Sequence, residues 1–141
     1  METALCGCLI AVRDMDRSVA FYQDVLELTA VRTEDQITLL SDPSGLPALF
    51  LIEGQRDAAH RDHPLGIVAV LFSFATEEDL DLVEARLKAH GAFGSRQHNG
   101  DIESVHGRDP DFTPLSCCRS LDGKPVSARS LTKIPLALYG L

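Results

Sequence analysis

The five histidines of the chain are the side chains best suited to acid–base or metal chemistry. Among them, His106 ends a short run from Ile102 that has the composition of a β-strand. Because side chains two apart on a strand share a face, Ser104 is predicted to lie beside His106 and Glu103 on the opposite side. An imidazole titrates near neutral pH, so His106 is a candidate general base. The alternative is a structural histidine that bonds to backbone or water.

The remaining histidines and the cysteines do not predict a metal centre. His90 suits the C-terminal end of a helix, where a positive charge is favourable. The four cysteines lack the two-residue separation of zinc-binding pairs, so small buried thiols are expected. They are arranged as Cys6-x-Cys8 and Cys117-Cys118.

Length and charge limit the classes of function. A chain of 141 residues with 45% hydrophobic residues suits one domain with a substantial core. The formal net charge of −8 argues against a nucleic-acid partner, because such affinity comes largely from cationic contacts to phosphate. The apolar stretch 66–75 is too short to span a membrane, which requires ~20 residues. The beginning of the chain has no basic region typical of a secretory signal, so a cytoplasmic protein is expected.

The hydrophobic pattern of the first half predicts one strand, one helix and three further strands. Residues 6–12 form an apolar strand, after which Asp16 is expected to cap a helix that ends near Leu26. Three short strands follow, the last of them over 48–53. Residues 54–65 are polar and lack periodicity, so they are predicted to be a linker.

The second half repeats this order. A strand over 67–74 precedes a helix that begins after Thr76 and ends before Gly91. Short strands follow, and the pair Asp122-Gly123 predicts a hairpin into a last strand over 126–131. The chain therefore reads as an internal duplication. The tail 132–141 is predicted to pack on the domain, with a dimer contact as the alternative.

Two segments give the chain a family resemblance. Residues 12–28, VRDMDRSVAFYQDVLEL, resemble the opening of the vicinal oxygen chelate superfamily, and the helical segment 76–92 is similar to its second helix. This superfamily includes glyoxalase I, bleomycin resistance proteins and extradiol dioxygenases. The resemblance implies an α+β fold in which two βαβββ modules, 6–53 and 66–131, form a cup-shaped open β-barrel. It also implies a single domain over 1–141 and a homodimer.

By this resemblance, metal enzymes of the superfamily carry a His on the first strand, a His or Gln on the fifth and a Glu on the last. Here the first two positions hold Gly7 and Ala69. The third holds Ser127 if the Asp122-Gly123 turn is matched, or Ser116 if residues 109–111 are matched. Small apolar residues and a serine do not replace imidazole and carboxylate ligands, so no metal and no cofactor are expected.

Alternation along the strands predicts the lining of the cup. The first and fifth strands would present small and apolar side chains, and other elements would supply polar groups. The predicted ligand-binding residues are Leu9, Ala11, Arg32, Thr38, Leu71, Ser73, Ser127 and Arg129, with His106 as the candidate catalytic residue.

The sequence favours metal-independent binding of a small amphipathic organic ligand, an antibiotic or a metabolite, as in bleomycin resistance proteins. The alternative is a superfamily enzyme of the glyoxalase, isomerase or lyase type that uses His106 or an unrecognised metal site. A third possibility is a structural or regulatory domain with a vestigial cup. The sequence does not decide whether the protein is an enzyme.

Overall fold

The computed structural model describes residues 1–34, 37–43, 48–53 and 65–134, without the side chains of residues 32 and 34. Nearly all of the predicted linker and residues 135–141 of the tail lie outside this description. The helices and strands, in chain order, are β1 (Ala4–Val12), α1 (Met15–Leu26), β2 (Thr29–Glu34), β3 (Ile37–Ser41), β4 (Ala48–Glu53), β5 (Gly66–Ser73), α2 (Glu77–Ala89), β6 (Phe93–Asn99), β7 (Ile102–Arg108), β8 (Pro114–Ser120) and α3 (Ala128–Leu131).

The strands of the described residues form one sheet in the order β2-β3-β4-β1-β5-β8-β7-β6. Its two halves repeat one arrangement, since β2-β3-β4-β1 corresponds to β6-β7-β8-β5. In each half the first strand pairs in parallel with the last, and the other neighbours are antiparallel. Antiparallel pairing of β1 with β5 joins the halves. The predicted α+β fold of two βαβββ modules is confirmed.

The two long helices begin at polar caps. The side chain of Asp14 accepts a hydrogen bond from the backbone N–H of Arg17 at 3.2 Å, so Asp14, and not the expected Asp16, caps α1. Asp16 lies in the first turn of the helix, where its negative charge interacts favourably with the positive end of the helix dipole. Thr76 caps α2 as predicted and accepts a bond from the N–H of Asp79 at 3.1 Å.

The predicted last strand over 126–131 is wrong, because β8 is the last strand of the described residues. After β8 the carboxylate of Asp122 accepts bonds from the hydroxyl of Ser120 at 2.7 Å and from the N–H of Lys124 at 2.9 Å. These bonds fix a tight turn. Ser127 then accepts a bond from the N–H of Ser130 at 3.2 Å and caps α3.

Both long helices pack on the same face of the sheet, called here the outer face. An ion pair joins α2 to the strands beneath it, because Arg96 of β6 lies 2.6 Å from Asp81. Two further pairs join neighbouring strands, with Glu103 of β7 lying 2.6 Å from Arg96 and 2.8 Å from Arg119. Burial alone would raise the pKa of Glu103, but the bonds from the two arginines hold it below its ordinary value. The predicted position of Glu103, opposite His106, is confirmed.

The other face of the sheet, the inner face, carries the largest apolar cluster, to which both halves contribute. It includes Leu9 and Ala11 of β1 and Leu71 of β5. The same cluster contains Val126, Ala128, Leu131 and Ile134, which follow the last strand. Residues Val126–Ile134, called here the cover segment, therefore pack against the inner face.

Replacement of Leu131 by alanine tests this packing. Leu131 is 2% exposed, so Leu131→Ala is expected to lower the free energy of unfolding by about 2–4 kcal/mol through lost burial and a cavity. Leu121, in the preceding turn, is 40% exposed and provides a matched control. Urea denaturation of both variants makes the comparison, and equal losses would show that the cover segment does not pack as described.

Candidate functional site

His106 lies on β7 with its ring hydrogen-bonded at both nitrogens. Nε2 is 2.8 Å from the hydroxyl of Ser104, and Nδ1 is 2.7 Å from the hydroxyl of Ser116. All three side chains are buried: His106 is 5% exposed and the serines 0%. Ser104 shares a strand face with His106, as the sequence predicts, and Ser116 lies opposite His106 on β8. The three residues form the most buried polar cluster of the described inner face.

Burial lowers the pKa of His106 from 6.5 to about 4. The imidazole is therefore neutral at physiological pH, and a neutral imidazole has one nitrogen that donates and one that accepts. It follows that one of the two serines donates its hydroxyl proton to the ring and the other accepts the ring N–H. The cluster is a satisfied, uncharged network within apolar surroundings.

The two serines that the resemblance leaves open for the third metal-ligand position lie in different elements. Ser116 lies on β8, the last strand, within the inner-face network. Ser127, the alternative, caps α3 and belongs to no strand. The bond between Ser116 and His106 depends on the pairing of β7 with β8, which the sequence pattern does not reveal.

The residues present do not fit the divalent metal that the family resemblance implies. A Cβ atom added at Gly7 would lie 2.1 Å from the carbonyl oxygen of Ala48, so the backbone of β4 leaves no room for a side chain there. Ala69 is fully buried in the inner-face cluster, and the hydroxyl of Ser116 is bonded to His106. Within the described residues, no three His, Cys, Asp or Glu side chains lie close enough to hold a metal ion.

Four of the predicted ligand-binding residues lie on the two central strands. Leu9, Ala11 and Leu71 belong to the inner-face cluster and are at most 3% exposed. Ser73 follows two residues after Leu71 on the same strand face and is half-buried. Alternation therefore assigned these strands correctly, and the cover segment makes their apolar side chains part of the core.

The other predicted residues do not come together at the inner face. Thr38 is opposite Leu51, which packs on the outer face beneath α1, so the prediction that Thr38 lines the cup is wrong. Ser127 is occupied as a helix cap, and Arg129 is exposed on α3. The side chain of Arg32, on β2, lies outside the described part of the structure.

Three of the four cysteines are buried, as expected from the sequence. Cys6, Cys117 and Cys118 are at most 4% exposed, and Cys8 is half-buried. Burial raises the pKa of Cys6 to about 12 and of Cys117 to about 11. A thiol with so high a pKa forms little thiolate at neutral pH, so these cysteines are poor nucleophiles.

Comparison with known proteins assigns the chain to a family. Residues 5–111 match the model of the Glyoxalase/Bleomycin resistance protein/Dioxygenase superfamily. This match covers more than half of the chain, and the chain belongs to that superfamily, in agreement with the vicinal oxygen chelate resemblance. No curated protein sequence matches the chain. No helix among the described residues is long and apolar enough to cross a membrane.

Solved structures of other superfamily members share the fold. A variant of methylmalonyl-CoA epimerase from Streptomyces coelicolor has a TM-score of 0.56 at 19% identity, over 89% of this chain and 100% of that one. A variant of homoprotocatechuate 2,3-dioxygenase from B. fuscum has a TM-score of 0.65 at 23% identity, over 93% of this chain and 36% of that one. The chain thus spans about a third of the length of that dioxygenase.

The buried imidazole predicts a pH dependence of stability. Because the pKa of His106 is lower in the folded protein, about 4 against 6.5, the unfolded chain binds more protons between these values. This contribution to stability is full above pH 6.5 and decreases as the pH falls towards 4, by up to about 3 kcal/mol. Urea denaturation between pH 7 and 4.5 should show a smaller loss for His106→Gln than for the unmodified protein.

The control for this experiment is His98→Gln, because His98 is exposed. Its stability should follow the unmodified protein at every pH. Parallel curves for the unmodified protein and His106→Gln would contradict a buried neutral imidazole.

Proposed function

We propose that the protein binds a small amphipathic organic molecule, an antibiotic or a metabolite, on the inner face and without a divalent metal. The observation that carries this proposal is the combination of an apolar inner face with the neutral His106 network and a donor set unsuited to a metal. An apolar surface with a few fixed polar groups is typical of small-molecule sites. The hydroxyl and imidazole groups would orient the polar end of the ligand.

A ligand at this site competes with the cover segment. Val126, Leu131 and Ile134 occupy the same apolar cluster that the ligand would contact, so binding requires their displacement. The salt bridge between Lys133 and Asp101, at 2.5 Å, fastens the end of the segment to the tip of the β6–β7 hairpin. The apparent affinity is then the affinity of the uncovered state, reduced by the fraction of molecules that are uncovered.

The enzymatic alternative receives less support from the geometry. A general base must have a free nitrogen near the substrate proton and a pKa near the working pH. In this structure both nitrogens of His106 are engaged, and its pKa of about 4 makes it a weak base at neutral pH. Hydrogen bonding to a ligand, after exchange of a serine partner, requires neither proton transfer nor a higher pKa.

We also propose that the protein forms a homodimer, as the family resemblance implies. Two apolar side chains of α1, Phe21 and Val25, are 57% and 59% exposed and lie one helical turn apart. Exposed apolar groups at this spacing support self-association through α1. Sedimentation velocity should show a dimer that Phe21→Ser weakens, whereas a monomer at every concentration would contradict the proposal.

A ligand screen tests the binding function. Thermal denaturation with a library of amphipathic organic molecules, in the presence of EDTA, should identify compounds that raise the melting temperature, because a ligand of the native state stabilises it. For such a compound, His106→Gln should weaken binding by about fivefold to tenfold, the effect of one lost hydrogen bond. His98→Gln is the matched control and should bind as the unmodified protein does.

The same thermal denaturation measurements on Asp101→Asn, with a compound found in the screen, test the role of the cover segment. Loss of the ion pair with Lys133 should favour displacement of the segment and tighten ligand binding, whereas Asp24→Asn on the exposed side of α1 should change nothing. Binding that depends on added zinc, iron or manganese, or that is insensitive to His106→Gln, would overturn the proposed function.

A further inference from the structure

A groove of about 1010 Å³ opens on the outer face, away from the cover segment. It lies where the C-terminal end of α2 meets the beginning of β6, the end of β7 and the loop over residues 109–113. Its volume is that of a site for a small organic molecule. The groove borders the outer-face cluster beneath α2, which is separate from the inner-face cluster.

The floor of the groove is apolar. Leu87 of α2, Phe93 of β6 and Leu115 of β8 line it, and each is partly buried and packs against the core beneath α2. Gly107 contributes backbone here, because a Cβ atom at this position would lie 2.6 Å from the carbonyl oxygen of Ala92. Apolar side chains that remain half-buried at a concave surface still have contact area to offer a ligand.

A fixed loop presents an aromatic ring beside this floor. The carboxylate of Asp109 accepts bonds from the N–H groups of Asp111 at 2.8 Å and Thr113 at 2.9 Å. Arg108 donates to the carbonyl oxygen of Phe112 at 3.0 Å. Phe112 has a φ of 66°, which L-residues rarely adopt, and its side chain is 75% exposed. The loop thus holds a large aromatic side chain in solvent at the edge of a groove.

The charges at the groove have the opposite sign to the protein as a whole. Arg86 and Arg108 line it, and in the part of the chain that the structure describes neither guanidinium has a carboxylate partner. The only carboxylate among the described lining residues, that of Asp109, is engaged by the backbone of its own loop. In a chain of net charge −8, the two arginines outnumber the one carboxylate of the described lining, and this local excess of positive charge favours an anion.

We propose that this groove is a second ligand site, which takes an amphipathic anion with an aromatic or aliphatic body and one anionic head. The body would lie on Leu87, Phe93 and Phe112, and the head would accept hydrogen bonds from the guanidinium groups of Arg86 and Arg108. Arginine is suited to this role because its planar group pairs with carboxylate and similar oxyanions at two points. The lining also includes Ser95 and His106, but the side chains proposed to hold the ligand are not those of the inner-face network.

Three naphthalene probes of equal size test the proposal. Isothermal titration calorimetry should show that 2-naphthoate binds, that 2-naphthylmethanol binds at least fivefold more weakly, and that 2-naphthylmethylamine binds weakest. Added NaCl should weaken the binding of naphthoate and leave that of the alcohol unchanged, because salt screens exposed charges. In amide NMR spectra, the naphthoate-induced shifts should be largest for residues of the groove.

Substitutions test separately the guanidinium groups that would bind the anionic head and the aromatic ring that would contact the apolar body. Arg86→Gln combined with Arg108→Gln should remove the preference for naphthoate over the alcohol, whereas Phe112→Ser should weaken both probes. Arg13→Gln combined with Arg17→Gln, at the beginning of α1, is the matched control for loss of two exposed positive charges and should bind as the unmodified protein does. Equal affinity for naphthoate and the alcohol, or an unchanged preference in the double variant, would overturn the proposal. So would NMR shifts confined to the inner face, which would assign naphthoate to the proposed cup site instead.

Discussion

Burial of the inner face determines the chemistry available to this protein. The cover segment contributes Leu131 and Ile134 to the same apolar cluster as the central strands, and the side chain of His106 on that face is 5% exposed. In such surroundings a charged imidazole is costly, so His106 stays neutral, and a buried hydroxyl group without a partner is unfavourable. The network with Ser104 and Ser116 meets both requirements. A ligand that replaced the cover segment would meet an uncharged, hydrogen-bonding surface.

A backbone constraint separates this chain from a metal-binding arrangement of the same fold. β1 and β4 approach so closely at Gly7 that any side chain would collide with the carbonyl group of Ala48. Replacement of Gly7 by a metal-binding residue would therefore not be enough to create a metal site, because β1 and β4 would also have to move apart. The superfamily fold is retained here without a cluster of metal-binding side chains among the described residues, so the function must be argued from the site and not from the fold.

The strands are predictable from sequence because they are apolar runs, and the faces of the central ones follow by alternation from Gly7 and Ala69, which the family resemblance places inward. Leu9, Ala11 and Leu71 were assigned to the correct face on that basis. Thr38 was not, because β3 is apolar on both faces and a shift of one residue inverts the assignment. The helix α3 was mistaken for a strand because four residues are too few to show helical periodicity.

Contacts between distant segments could not be predicted from the sequence pattern. The bond between His106 and Ser116 requires the register of β7 against β8, and residues ten positions apart give no periodic signal of it. The groove requires the end of α2 to meet the 109–113 loop, so Arg86 and Phe112 could not be connected in advance. The sequence pattern thus predicts elements and faces, whereas site membership depends on tertiary packing.

The net charge of the protein and the local charge at the groove predict opposite signs for the charge of a ligand. The distance between the ligand and the charged side chains determines which prediction applies. The net charge of −8 acts on an approaching molecule only within about a Debye length, roughly 8 Å at physiological ionic strength. A ligand at the proposed groove site would contact Arg86 and Arg108, and direct bonds to guanidinium groups would outweigh the screened field of distant carboxylates. On the inner face neither effect is large, because His106 is neutral and the described cluster is apolar. Selection there would depend on shape and hydrogen bonding, so the two proposed sites would select their ligands by different interactions.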